Sequence, residues 1–439
     1  MHSREEARRY HPASAPDYVP LASLRGLQLE RLRRVVERAH DRVALFRGRM
    51  AERGLAPSDL RTLEDLSRLP FTDKADLLDA YPFGLFAAPL EEVVRLNASS
   101  GTGARPAVVA YTQGDLATWT EVMVRSLAAC GLHRGDVVQN AYAYGLYTGA
   151  LGAHFGAEAL GATVIPASAG STDRQITVLQ DLGVTAICCT PSYFLHLVER
   201  GRELGADFRR LRVAILGAEP WSEAMRRRIE ADAGVKAYDM YGVSEIVGPG
   251  VGIECAAQAG LHLFEDHFFP EVVDPETGAV LPEGAEGELV LTTLSKDAMP
   301  MIRFRTRDLT AFIPEPCPCG RSLRRVRRIR RRSDDMFIVR GVSVFPSQVE
   351  TALLAVEGTL PHYQILLTRE RGLDEVEVRV EVTPEVFSDQ VRSLASLREK
   401  LESALDHTLG LRVRATLVGP RTLQRTQGPA RHVVDERNP

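Results

Sequence analysis

A chain of 439 residues is long enough for one large domain and a smaller one, each with its own core. An apolar fraction of 44%, a charged fraction of 26% and a net charge of −4 fit a soluble globular protein and argue against a global nucleic-acid or membrane partner. No apolar run follows the opening "MHSREEARRY" and no stretch of 18 apolar residues exists, so the expected location is cytoplasmic, where the six cysteines would not form disulfides.

Apolar residues recur at helical spacing over 24–53, which predicts one amphipathic helix there. "FTDKADLLDAYP" predicts a short helix with Thr72 as its N-cap. Next comes "NASSGTGARPAVVAYT", where Ser99, Ser100, Gly101, Thr102 and Gly103 stand in a row, followed closely by Arg105. Hydroxyls, flexible backbone and free N–H groups suit a phosphate, although the spacing is not that of a Walker loop. A plain Ser/Gly turn between two strands is the competing reading.

Short apolar runs then alternate with helical segments. The runs are "DVVQNAYAYG", "GATVIPAS", "VTAICCTP", "RVAILGAE" and "VKAYDMYG", with helices such as 173–181 and 222–233 between them. That alternation predicts an α/β fold with a mostly parallel sheet flanked by helices, and ligands beyond the carboxyl ends of its strands. From about Glu271 the pattern becomes hairpin-like, and past "RRVRRIRRRSDD" a third composition begins. There the strands "PHYQILLTRE", "VEVRVEVT" and "RVRATLVG" accompany helices near Pro346–Leu354 and Val391–Leu409. We expect a large domain over 1–332 and a small α+β domain over 333–439.

Within these elements, Tyr142, Tyr144 and Tyr147 alternate with small residues, as in the wall of a flat aromatic pocket or in an ordinary core. Glu265, Asp266 and His267 cluster in "GLHLFEDHFFPE". "CPCG" puts Cys317 and Cys319 on a tight turn, and Cys255 precedes His262 by seven residues. One Cys3His set would satisfy tetrahedral zinc; the alternative is unrelated free thiols.

Eight collinear stretches carry a resemblance. "ASSGTGARP", "YAYGLYTGALGAHFGAEALGATVIP", "GAEPWSEAMR", "DMYGVSEIVGPGV", "GLHLFEDHFFPEVVDPETG", "MPMIRFRTRDLT", "RSDDMFIVRGVSVFPSQVE" and "PHYQILLTR" resemble the phenylacetate–CoA ligase branch of the adenylate-forming superfamily, in order, from about Leu24 to Arg437. The resemblance implies ATP-dependent activation of an aryl acid as its adenylate and transfer to CoA. The partners would be a small aromatic acid and CoA or another acceptor, with a homodimer left open. Ser99–Gly103 and Arg105 would hold the β- and γ-phosphates. Gly217, Ala218, Glu219 and Pro220, with Asp239, Met240, Tyr241 and Gly242, would form the adenine turns, and Tyr241 would stack on the base. Glu245 resembles the Mg²⁺ ligand and Asp308 the acceptor of both ribose hydroxyls. Arg332 and Asp334 resemble the arginine and hinge residue before the mobile domain, although an ordinary exposed linker would be polar too. The Cys255, His262, Cys317 and Cys319 set looks like a structural zinc site.

The tail departs from the family. Its pattern resembles R-S-x-G-K-A-x-R-V-x-D, and "RTQGPARHVVD" keeps that register with Pro429 in place of the lysine. The chain has only four lysines, Lys74, Lys236, Lys296 and Lys400, so none follows to substitute. Arg425 and Arg431 are the candidate replacements, because a guanidinium also holds phosphate. Three readings stay open: a ligase slowed or rescued by arginine, a fold redirected to an amine or carrier thiol, and a non-catalytic nucleotide- or acyl-binding homologue.

Overall fold

The computed structural model describes residues 11–99, 106–329, 331–333, 337–339, 342–344, 346–370, 373–383, 386, 391–423 and 432–437. Chain contacts divide it into two units. The first holds the segment ending at Cys189, then Leu197–Ala218 and Gly234–Arg328; the second holds Thr190–His196, Glu219–Ala233 and the chain from Ile329.

The helix expected over 24–53 is broken. Leu21–Arg42 and Ala44–Glu52 are separate helices, with Val43 between them in extended backbone at φ −108° and ψ 107°. A buried β-branched residue accepts that conformation readily and turns the second helix. The N-cap of the next helix, Lys74–Asp79, is Asp73 rather than Thr72. The Asp73 carboxylate accepts the Ala75 and Asp76 N–H groups, whereas the Thr72 hydroxyl donates to the Ile302 carbonyl.

The first unit is built on a nine-stranded sheet. Its strand order is Phe312–Ile313, Arg325–Val326, Leu261–Leu263, Gly248–Glu254, Lys236–Val243, Val213–Gly217, Ala186–Cys189, Val137–Asn140 and Thr163–Ile165. The last five strands run parallel, as the alternating pattern predicts, and the first four add antiparallel neighbours. Ala186–Cys189 and Val213–Gly217 are buried at every residue, as befits strands covered on both faces. Helices Gln113–Ala129 and Gly149–Leu160 pack against this sheet. An antiparallel set, Phe268–Val273, Gly287–Thr293 and Phe304–Thr310, follows.

The second unit is α+β. Its four-stranded sheet runs in the order Arg414–Val418, Leu373–Val382, Thr359–Glu370 and Val433–Asp435. Val349 and Leu353 from helix Pro346–Leu354, with Leu401 and Leu405 from helix Val391–Leu409, fill a core with Ile365, Leu367 and Val378. Among the described residues no helix is long and apolar enough to cross a membrane.

Candidate nucleotide site and metal centre

Strands Val93–Ser99 and Ala107–Thr112 pair antiparallel with Ser99 opposite Ala107. The Gly-rich segment therefore joins two paired strands, while Ser100, Gly101, Thr102, Gly103 and Arg105 lie outside the described residues. Thr112 then caps helix Gln113–Ala129 in a capping box with Asp115.

Two parallel strands end at the other sequence-predicted nucleotide residues. Gly217 closes Val213–Gly217, where any Cβ would collide with the Met240 carbonyl, so only glycine lets the two strand ends approach. Ala218 follows at φ 71°, a left-handed conformation rare for a residue with a side chain and often found at binding sites. In the second unit, Glu219 accepts the Ser192 N–H at 2.7 Å and Pro220 follows it. On the neighbouring strand, Asp239 is buried, receives the Arg328 guanidinium at 3.4 Å and donates its own N–H to Glu254 at 2.8 Å. Met240 is buried, and Gly242 sits where a Cβ would meet the Gly248 carbonyl and Pro249.

Tyr241 and Asp308 are 67 positions apart in sequence and meet. The tyrosine hydroxyl donates to Asp308 Oδ2 at 2.5 Å, and both residues are nearly buried. Asp308 is set by its own strand: Arg307 takes a positive φ of 65°, its N–H is accepted by Glu288, and the Asp308 N–H donates to the Thr306 hydroxyl. The register also shifts between Glu288 and Val290 opposite.

Glu245 lies in the turn after strand Lys236–Val243 and is 5% exposed. Two cations that the sequence reading did not single out flank it. Lys74 Nζ lies 3.8 Å from its carboxylate, and Lys296 Nζ donates to its carbonyl at 3.0 Å. Burial lowers the Lys296 pKa to about 8, against the pull of Asp115 and Glu245. The one signal in the sequence was rarity, since a chain built on arginine keeps a compact ammonium at only four places.

The three tyrosines differ. Tyr142 donates to the Cys189 carbonyl at 2.8 Å and stands beside the Gly217 turn. Tyr144 has its hydroxyl bound by Asn140 at 2.8 Å and shares a hydrogen bond with His154 at 3.0 Å. Tyr147 is 56% exposed. Arg332 lies in the short strand Arg331–Arg332, whereas Asp334, Arg425, Pro429 and Arg431 lie outside the described residues.

Among the described residues, two clusters hold donors that all lie within 4.8 Å of one another. In the first, Cys255 Sγ is 3.6 Å from Cys317 Sγ, and Cys319 Sγ is 3.4 Å from His262 Nε2. Tetrahedral zinc with ordinary bond lengths needs sulfur–sulfur separations of about 3.8 Å and sulfur–nitrogen separations of about 3.5 Å. The fold brings the halves together: His262 pairs with Ile253 on one side and Arg325 on the other, and Gly320 at φ 82° closes the Cys317 turn. His262 Nδ1 lies 3.3 Å from the Leu323 carbonyl, which leaves Nε2 for a metal. The Cys319 thiol is held far below its usual range by the Cys255 and Cys317 side chains.

The second cluster is Glu121, Asp266 and His267. Arg125 is fully buried and grips Asp266 through two bonds of 2.8 and 2.9 Å, while also binding Asp17 and Glu121. His267 shares a 2.6 Å hydrogen bond with Ser295, and Arg324 holds Glu265 at 2.6 Å.

Glycine turns at the ends of parallel strands, a Tyr–Asp pair and a glutamate contacted by two lysines make up the candidate nucleotide site. The comparisons agree: the AMP-binding enzyme family matches residues 18–295, and the AMP-binding enzyme C-terminal domain matches 341–437. Phenylacetate-coenzyme A ligase of Thermus thermophilus is 49% identical over 435 residues, covering 95% of this chain and 98% of that one. The Pseudomonas putida protein of the same name is 47% identical, covering 98% and 99%. A solved 2-hydroxyisobutyryl-CoA ligase, in the postadenylation state with R3-HIB-AMP, superposes with a TM-score of 0.91 at 30% identity, covering 98% of this chain and 94% of that one. The chain belongs to the phenylacetate–CoA ligase family and is an acid–thiol ligase that uses ATP and CoA.

Proposed function

We propose that the protein activates an arylacetate-like acid and passes the acyl group to CoA, with a first step altered at Pro429. In the first step the carboxylate attacks the α-phosphorus of ATP and pyrophosphate leaves; in the second the CoA thiol attacks the acyl carbon and AMP leaves. The observation that carries this reading is the Tyr241–Asp308 bond beside the Gly217 turn, in a chain nearly half identical to phenylacetate–CoA ligases over its length. In this reading Asp308 accepts the ribose hydroxyls, Tyr241 faces the adenine and Gly217, Ala218, Asp239 and Met240 shape its turns. Ser99–Gly103 and Arg105 hold the outer phosphates. Tyr142 and Tyr147 border the acid, and Tyr144 is held by Asn140 and His154. Residues 333–439 form the movable domain, entered through Arg332 and Asp334. Glu245 is a hard oxygen donor that suits Mg²⁺, which would neutralise phosphate charge when bound. The Cys255, His262, Cys317 and Cys319 set suits zinc, which would staple the strand ends that carry it.

Pro429 has neither a side-chain cation nor a backbone N–H. Losing one preorganised cation costs about 10²–10³ in rate, which Arg425 or Arg431 would partly offset. ATP–pyrophosphate exchange across a panel of aryl acids, with and without CoA, tests the reading. We expect exchange in the parent and a rise of about 10²-fold in Pro429→Lys. Loss of parental exchange in Arg425→Ala or Arg431→Ala would identify the substitute. The ligase reading fails if neither parent nor Pro429→Lys exchanges and neither CoA, an amine nor a carrier thiol consumes a supplied acyl-adenylate. Asp308→Ala should weaken ATP binding about tenfold or more, and unchanged calorimetric affinity would remove the ribose assignment.

A further inference from the structure

Lys296 is buried, with 5% of its surface exposed, yet nothing in the two half-reactions assigns it a role. An ammonium is costly to bury, so its partners indicate what keeps it there. Nζ donates to the Glu245 carbonyl at 3.0 Å and lies 4.9 Å from the centre of the Tyr111 ring. Tyr111 belongs to the strand that leaves the Gly-rich loop, and its hydroxyl donates at 3.0 Å to the carbonyl of Val247, two residues beyond Glu245. The ring stacks on Trp119, which donates to the Pro249 carbonyl at 2.9 Å. The lysine's own backbone is anchored too, because the Asp297 and Ala298 N–H groups donate to the Asp115 carboxylate at the start of helix Gln113–Ala129. Three segments remote in sequence therefore cross at one ammonium.

We propose that Lys296 is a positioning residue for nucleotide activation: it ties the Glu245 turn to the strand leaving the phosphate loop, so that the Glu245 carboxylate faces a phosphate-bound divalent cation in one orientation. The inference rests on the reading of Glu245 as that cation's ligand. A neutral side chain would fill the same volume, but would neither hold the Glu245 carbonyl nor face the Tyr111 ring with a charge.

The test is calorimetric titration of ATP into the full-length protein at a series of Mg²⁺ concentrations, alongside thermal midpoints. Lys296→Met should raise the Mg²⁺ concentration for half-maximal ATP binding about fivefold, and Lys296→Arg, which keeps the cation, should raise it less. A lowered thermal midpoint with an unchanged Mg²⁺ requirement makes Lys296 merely structural and overturns the proposal. Should Lys296→Met fail to fold, Tyr111→Phe decides. It keeps the ring and loses the Val247 bond, so a rise of about twofold supports the tie and no change overturns it. Glu245→Gln separates the two failures: if it too leaves the Mg²⁺ requirement unchanged, the Glu245 reading itself is wrong.

Discussion

The two donor clusters, one of four residues and one of three, are both tight but differ in contents. Both gather His, Cys, Asp or Glu atoms within 4.8 Å. In the cysteine cluster the donors face one another, Cys255, His262 and Cys317 are buried, and Arg321, which hydrogen-bonds Cys319, is ion-paired to Asp17. In the acidic cluster a guanidinium already sits among the carboxylates: Arg125 binds Asp17, Asp266 and Glu121, and Arg31 reaches His267 at 3.4 Å. Soft ligands at near-tetrahedral spacing suit a metal cation, whereas hard ligands around an arginine have a cation supplied by the chain itself. Proximity of donors thus identifies a charge problem, and the neighbouring cations show whether the chain has solved it alone.

The largest expected effect removes the cysteine cluster. Elemental analysis of protein made without chelators should find about one zinc per chain. Cys317→Ser or Cys319→Ser should lose it and destabilise the fold by roughly 5 kcal/mol or more, since metal binding free energy is folding free energy. A zinc-free parent, or zinc retained in Cys317→Ser, breaks the comparison from one side.

From the other side, Arg125→Ala should leave zinc content unchanged yet cost roughly 3–5 kcal/mol in urea unfolding, because Asp266 would be buried without its guanidinium and Asp17 would keep only Arg321. The pH dependence carries a sign. Burial pushes the Asp266 carboxyl up, but the His267 charge and the Arg125 bonds outweigh it and hold the group below its usual range. A depressed folded pKa gives stability that is present above the unfolded value of about 3.9 and lost as pH falls through the folded one. The parent should therefore resist acid further than Arg125→Ala, which should begin to unfold at a higher pH. If added divalent cation rescues the variant, the acidic cluster is a metal site after all.

How legible all this was depended on sequence separation. The parallel strands and the helices Thr172–Asp181, Glu223–Ala233, Pro346–Leu354 and Val391–Leu409 followed from local periodicity, whereas the Cys3His set was expected through the family resemblance. Expected strands overran where side chains intervene. "DVVQNAYAYG" ends as a strand at Asn140, whose side chain donates to the Ala150 carbonyl and the Tyr144 hydroxyl and turns the chain. Thr72 looked like a cap because hydroxyls cap helices, but its neighbour has a carboxylate that reaches two N–H groups. The partners of Glu245 were hidden, since Lys74 and Lys296 are brought to it only by tertiary packing. Asp266 was visible as an acid, but its pairing with Arg125, 141 positions away, was not.

The smallest effect tests whether the rim of the acidic cluster contributes through charge. Glu121 has a side chain 42% exposed, so its bond to Arg125 at 3.3 Å and its contact with His267 at 3.6 Å are partly screened by water. Glu121→Gln should cost less than about 1 kcal/mol at neutral pH. The His267 bond lowers the Glu121 pKa, with burial opposing it. Its contribution is therefore present above the ordinary glutamate value of about 4.3 and fades as pH falls through the lowered one. Urea unfolding of parent and variant should differ slightly at pH 7 and coincide once the parent's Glu121 is protonated. A difference that persists in acid would mean that Glu121 acts by packing. A chelator that closes the gap at pH 7 would mean that the carboxylate holds a metal, and the distinction between the two clusters would fall.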